Sequence, residues 1–280
     1  MREIRFGEIV EAVKELCIDS NYHLGSDVLD ALKKALREET SPVGRSILEQ
    51  LIQNANIASE GLFPLCQDTG FAVFFVELGE EVKISGGNLN DAINEGVRRG
   101  YTEGYLRKSI VKDPLRRVNT GDNTPAVIWT DIVPGDRLRI IMAPKGGGSE
   151  NMSEVRMLTP AEGVEGVKRY VIDRVQRSGS NPCPPIVVGV GIGGTFDKCA
   201  QIAKRSLFRP IGSRNPDPFY AQMEEELLEE INKLGIGPMG LGGRTTALDV
   251  HIEVYPCHIA SLPVAVNIQC HSARHKSVVL

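Results

Sequence analysis

The sequence predicts a mixed α/β fold, with a helical N-terminal segment packed on a sheet-containing core and further helices around it. Three observations carry this expectation. Apolar side chains recur at helical spacing through the first sixty residues. Apolar runs of strand length, the first beginning after Gly70, follow them. From there strand-like and helix-like stretches succeed one another along the rest of the chain. No repeat, low-complexity linker or boundary interrupts the 280 residues. A single domain over 1–280 is therefore expected, with 1–60 as its helical segment.

Taken in order, Ile9, Val10, Val13, Leu16 and Cys17 share one face of a first helix. Val28, Leu29, Leu32, Ala35 and Leu36 define a second, and Ile47, Leu48, Leu51 and Ile52 a third. Cys17 lies on its apolar stripe and reads as core. The continuous apolar run 71–76, between Gly70 and Gly79, suggests a buried strand. Residues 89–107 look helical and end on Arg107 and Lys108, and 119–125 is a polar loop. Further strands are expected over 136–142, 185–190, 247–254 and 263–268, with helices over 160–176, 195–206 and 218–233. The last helix carries Glu224, Glu225, Glu226, Glu229 and Glu230, read as a solvated face.

With 41% hydrophobic and 24% charged residues, the chain can bury a large core. A net charge of −4 supplies no overall positive field to hold nucleic acid or an anionic membrane surface. The start, Met1-Arg2-Glu3-Ile4-Arg5-Phe6, lacks the apolar region of a signal peptide. No run approaches the roughly 18 apolar residues of a membrane span. A cytoplasmic location is expected, and there the six cysteines at 17, 66, 183, 199, 257 and 270 are expected as thiols serving metals or catalysis rather than disulfides.

The chemistry centres on Leu65-Cys66-Gln67-Asp68-Thr69-Gly70, where a thiol stands beside an amide, a carboxylate and a hydroxyl just before a turn glycine. Prolines flank Cys183 in Asn181-Pro182-Cys183-Pro184-Pro185, and Cys270 follows the last apolar strand. None of these three lies on a helical stripe, but their separations of 117 and 87 residues do not resemble the close spacing of ferredoxin or zinc-finger cysteines. Spacing leaves unrelated core cysteines, and a metal-free binding or scaffold subunit, as an open reading. Gly189-Val190-Gly191-Ile192-Gly193-Gly194 matches the dinucleotide pattern G-x-G-x-x-G formally, but no acidic residue ends a second strand some twenty residues later. That glycine turn is expected either to present N–H groups to an anion or to permit close packing.

Five motifs in order resemble one family. Cys66-Gln67-Asp68-Thr69-Gly70, Lys145-Gly146-Gly147-Gly148-Ser149-Glu150-Asn151, Gly191-Ile192-Gly193-Gly194-Thr195, Gly240-Leu241-Gly242-Gly243 and Cys270-His271-Ser272-Ala273-Arg274-His275 together resemble the alpha part of class I, iron-sulfur-dependent fumarate hydratases and L-tartrate dehydratases, over nearly the full length. The resemblance implies a hydro-lyase holding a [4Fe-4S] cluster through Cys66, Cys183 and Cys270. Cys257 in Pro256-Cys257-His258 is a rival third ligand, and Cys270 is preferred because its motif matches.

By the same resemblance Asp68 and His258 would be catalytic, and Gln67, Arg107 and the Gly147 backbone would contact substrate carboxylates. On the residues alone, Asp68 could instead cap its turn, Arg107 be a solvated helix end, and His258 a hydrogen-bonded core histidine. The resemblance further implies a beta subunit carrying a second domain, because the chain ends ten residues after Cys270 whereas one-chain members continue. Reversible hydration of fumarate to malate is the activity expected first, and dehydration of L-tartrate the alternative.

Overall fold

A computed structural model describes residues 1–280. In chain order the elements are β1 Arg2–Arg5, α1 Phe6–Tyr22, α2 Ser26–Glu38, α3 Pro42–Ser59, β2 Phe71–Gly79, β3 Val82–Ser85, α4 Leu89–Glu103, β4 Val127–Val133, β5 Leu138–Lys145, α5 Gly147–Glu150, β6 Glu154–Leu158, α6 Gly163–Ser178, β7 Ile186–Gly193, α7 Phe196–Ser206, α8 Pro218–Lys233, β8 Ala247–Tyr255, β9 Leu262–Gln269 and β10 Lys276–Val279. The mixed α/β class holds.

The chain packs as two compact units. One is built from Met1–Leu24, Ala55–Gly147 and Arg274–Leu280, the other from Gly25–Asn54 and Gly148–Ala273. Each unit is assembled from non-contiguous stretches, so no single linker marks the division in the sequence.

In the first unit four strands run in the order β10-β5-β2-β4, with β2 and β4 parallel and the β2–β5 and β5–β10 pairs antiparallel. β1 and β3 form a separate parallel pair. Ala72, Phe74 and Val76 of β2 and Leu138, Ile140 and Met142 of β5 project at every second residue into one core. Helices α1 and α4 close that core with Ile9, Val10 and Val13 from one and Ile93, Val97 and Tyr101 from the other. The α4 helix stops at Glu103, four residues short of the sequence-expected end, so Arg107 lies beyond it rather than on its last turn.

In the second unit the order is β6-β9-β7-β8, with β7 and β8 parallel and β9 antiparallel to both of its neighbours. Val188 and Val190 of β7 face a core completed by α6 and α8. The alternate residues Gly189 and Gly191 admit α7, because a Cβ at either would come within 2.2 Å or 2.1 Å of a main-chain oxygen of that helix. Close packing therefore accounts for these glycines of the dinucleotide-like pattern.

One expectation on α8 changes. Glu224 is fully buried, because Arg209 pairs with it and the N–H groups of Asn215 and Ile252 donate to its oxygens. Its neighbours Glu225, Glu226, Glu229 and Glu230 are exposed or nearly so, and keep the face solvated.

Candidate active site

Strand direction decides which loops meet. In the first unit β2 starts where antiparallel β5 ends, with Phe71 opposite Lys145. Parallel β4 and antiparallel-to-β5 β10 also start at that end. The loops 66–70, 119–125 and 145–147 and residue Arg274 are thus gathered at one edge of one sheet.

There Asp68 is tied by both carboxylate oxygens, Oδ1 accepting the Gly70 N–H at 3.0 Å and Oδ2 the Gly147 N–H at 2.8 Å. The first bond is the turn-capping contact that its residue type favours. The second joins the cysteine turn to the glycine loop. Gln67 Oε1 accepts from the Asp68 N–H at 2.9 Å and from the Cys66 thiol at 3.1 Å. Thr69 Oγ1 donates to the Arg107 carbonyl at 2.8 Å, so the main chain of Arg107 belongs to this edge while its side chain is exposed. Gly70 has φ +69° and packs on the Lys145 backbone, where a Cβ would lie 2.6 Å away.

Two supports were not singled out by the sequence reading. Tyr101, fully buried on α4, donates its hydroxyl to the Thr69 carbonyl at 2.7 Å, and burial pushes that hydroxyl's pKa well above the usual tyrosine range. Asn123, buried in the polar loop, donates to the Gly70 carbonyl at 3.1 Å and accepts from the Ser109 N–H at 2.7 Å. An asparagine within a turn-rich loop was the available signal, but its partner 53 residues away is a tertiary fact.

In the second unit Cys183 precedes β7 and Cys270 follows β9, and antiparallel pairing of Val187 with Gln269 brings the two cysteines to one sheet end. His271 joins them, its N–H donating to the Cys183 carbonyl at 3.3 Å and its Nδ1 standing 3.1 Å from the same oxygen. Cys183 is held at φ +56°, a conformation that costs a non-glycine residue free energy and collects at functional sites.

Cys257 and His258 follow β8, which runs parallel to β7, and so lie at the opposite end of this sheet from Cys183 and Cys270. The eight residues of β7 span on the order of 25 Å. His258 is exposed rather than core, with Nδ1 accepting the Ala260 N–H at 3.1 Å. The structure thus brings Cys183 and Cys270 together and does not bring Cys257 or His258 to them.

Cys17 and Cys199 are buried, and burial raises both thiol pKa values, which disfavours the thiolate a metal needs. Cys66 and Cys270 are half-buried and Cys183 is exposed. No three His, Cys, Asp or Glu side chains converge closely enough to hold a single ion. Accessible thiols at strand ends fit the chemistry of an iron-sulfur cluster, a larger body than one ion and one ligated by thiolates.

These features define a mixed α/β protein whose polar and thiol side chains are collected at the ends of its sheets. The chain belongs to the fumarate hydratase (fumerase) family of lyases, whose family model matches residues 10–279. It is 45% identical over 273 residues to a Methanocaldococcus jannaschii protein provisionally named L(+)-tartrate dehydratase subunit alpha, covering 95% of each chain. L(+)-tartrate dehydratase subunit alpha of Escherichia coli strain UTI89 is 36% identical, over 95% of this chain and 89% of that one. The protein of the same name in strain K12 is 34% identical, over 98% and 91%. No helix is long and apolar enough to cross a membrane.

Proposed function

We propose that this chain is the alpha subunit of a hydro-lyase that removes water from L(+)-tartrate, and that it works with a beta subunit. The observation that carries this reading is its similarity, along at least 95% of its length, to proteins named as that subunit. It displaces fumarate hydration, the activity expected first from sequence, to second place. L(+)-Tartrate and malate, the hydrated form of fumarate, are C4 dicarboxylates that differ by one hydroxyl on the second carbon.

Cys66, Cys183 and Cys270 are proposed to hold a [4Fe-4S] cluster, which when bound supplies a Lewis acid that polarises the departing hydroxyl. The Asp68 carboxylate is proposed to move the proton taken from the adjacent carbon. Hydrogen bonds from Gly70 and Gly147 fix its oxygens, so the group is oriented before substrate arrives. Gln67 and Arg107 are proposed to hold substrate carboxylates, while the Gly147 N–H, for which the resemblance implies the same part, is engaged by Asp68 Oδ2. His258 stands at the far end of its own sheet from Cys183 and Cys270, so a catalytic part for it requires a neighbouring chain to present it.

The test is an anaerobic preparation of the chain with its beta partner, assayed on L(+)-tartrate, malate and fumarate. A kcat/KM for tartrate at least tenfold above that for malate supports the reading. Preference for malate and fumarate restores the original order, and full activity of the chain alone removes the partner from the proposal.

A further inference from the structure

Arg274 sits at the Asp68 edge of the first unit with only 3% of its surface exposed. Its Nη2 donates to the main-chain oxygen of Asp68 at 2.8 Å. Its Nε and Nη1 are both buried and have no acceptor, and no carboxylate receives any of its hydrogen bonds. A guanidinium carries five N–H donors and stays charged at any physiological pH. Unpaired burial of donors on a cation is among the costliest arrangements a folded chain can keep. If Arg274 served only to pin the cysteine turn to the start of β10, a single neutral donor to the Asp68 carbonyl would suffice. The two unpartnered nitrogens point instead to an acceptor that arrives from outside the chain, and the charge calls for that acceptor to be an anion.

We infer that Arg274 is a substrate-binding residue that takes one carboxylate of a C4 dicarboxylate through its free N–H groups while Nη2 keeps its bond to Asp68. Nη2 carries two hydrogens, so the one not given to Asp68 can form, with the N–H beside it on Nε or Nη1, a planar fork that matches the two oxygens of a carboxylate. Because the same guanidinium holds the Asp68 backbone, it sets the distance between the bound carboxylate and the Asp68 side chain. The inference rests on the dicarboxylate reading above and adds a residue to it.

The test uses the anaerobically purified complex with its beta partner, as wild type, Arg274→Gln and Arg274→Lys. Titration calorimetry measures the binding of succinate, a C4 dicarboxylate with neither hydroxyl nor double bond to react. Visible absorption and thermal melting are followed on the same samples. Loss of one charge-assisted contact predicts succinate binding weakened about 10- to 100-fold in Arg274→Gln, with the absorption kept and KM raised more than kcat is lowered. Arg274→Lys, which keeps the charge without the fork, should recover part of the affinity, and it carries the test if Arg274→Gln does not fold. Unchanged succinate affinity in a folded variant overturns the inference while leaving the wild-type activity reading intact. Lost absorption with succinate affinity retained also overturns it, assigning the donors to the cluster. A wild type that neither binds succinate nor turns over a dicarboxylate defeats the functional reading and this inference with it.

Discussion

Replacing Gly70 with alanine should unseat the candidate site without touching any of its functional side chains. Gly70 has φ +69°, where a Cβ costs about 1–2 kcal/mol on conformational grounds. The added carbon would also stand 2.6 Å from the carbonyl carbon and oxygen of Lys145 and 2.7 Å from its nitrogen, well inside the 3.4 Å at which ordinary contact starts. These are main-chain atoms paired with β2, so no side chain can swing aside. The ends of β2 and β5 must part, at about 1 kcal/mol for each ladder hydrogen bond weakened. A total near 3 kcal/mol is a large share of the roughly 5–15 kcal/mol that stabilises a typical domain. It should lower the anaerobic melting midpoint by roughly 6–12 °C.

The same shift moves Asp68 away from the Gly147 N–H, so turnover should fall even well below the melting range. The control is Gly147→Ala, whose Cβ would meet only Asp68 Oδ2 at 3.9 Å, an ordinary contact. Its melting midpoint should change by no more than about 2 °C. Equal midpoints for wild type and Gly70→Ala would refute the argument that strand closure at Phe71 and Lys145 dictates glycine.

Two further outcomes are expected. Visible absorption from an iron-sulfur cluster should disappear in Cys66→Ser, Cys183→Ser and Cys270→Ser but persist in Cys257→Ser, because Cys257 lies at the other end of the sheet from Cys183 and Cys270; loss of colour in Cys257→Ser alone would reverse that ligand assignment. Glu39, 3% exposed, should make the second unit acid-sensitive. Burial pushes its carboxyl pKa up, but the N–H groups of Ser41, Arg244 and Thr40 outweigh burial and hold it below the usual range. A carboxylate depressed on folding contributes stability above its unfolded pKa of about 4.3 and loses it as pH falls through the folded value. Glu39→Gln should therefore cost about 2 kcal/mol in denaturant unfolding at pH 7, with the gap to wild type narrowing below pH 4.3.

Most helices and the longer strands were legible because helical and two-residue periodicities are local properties of a dozen or fewer residues. The short edge strands β1, β3, β6 and β10 were not, since four or five residues carry too little pattern and owe their extension to a partner strand. β4 escaped notice because only Ile128, Asp131 and Val133 are even partly buried, and these do not alternate along the strand. Glu224 misled for a related reason: its charge says solvent, and only Arg209, fifteen residues away, with the N–H groups of Asn215 and Ile252, makes burial affordable.

The sequence by itself determined the mixed α/β class, the family, and the loops proposed to carry the chemistry, because motif order and local periodicity need no neighbours. Tertiary structure alone decided that Cys183 and Cys270 meet while Cys257 and His258 stand at the far end of the same sheet, since antiparallel β7–β9 and parallel β7–β8 pairing join residues dozens of positions apart. It also decided that Asp68 is held by Gly147, 79 residues on, and that Arg274, one arginine among many in composition, is a buried cation with donors unused. Charge and residue type are written locally, whereas burial depends on everything the chain folds around them.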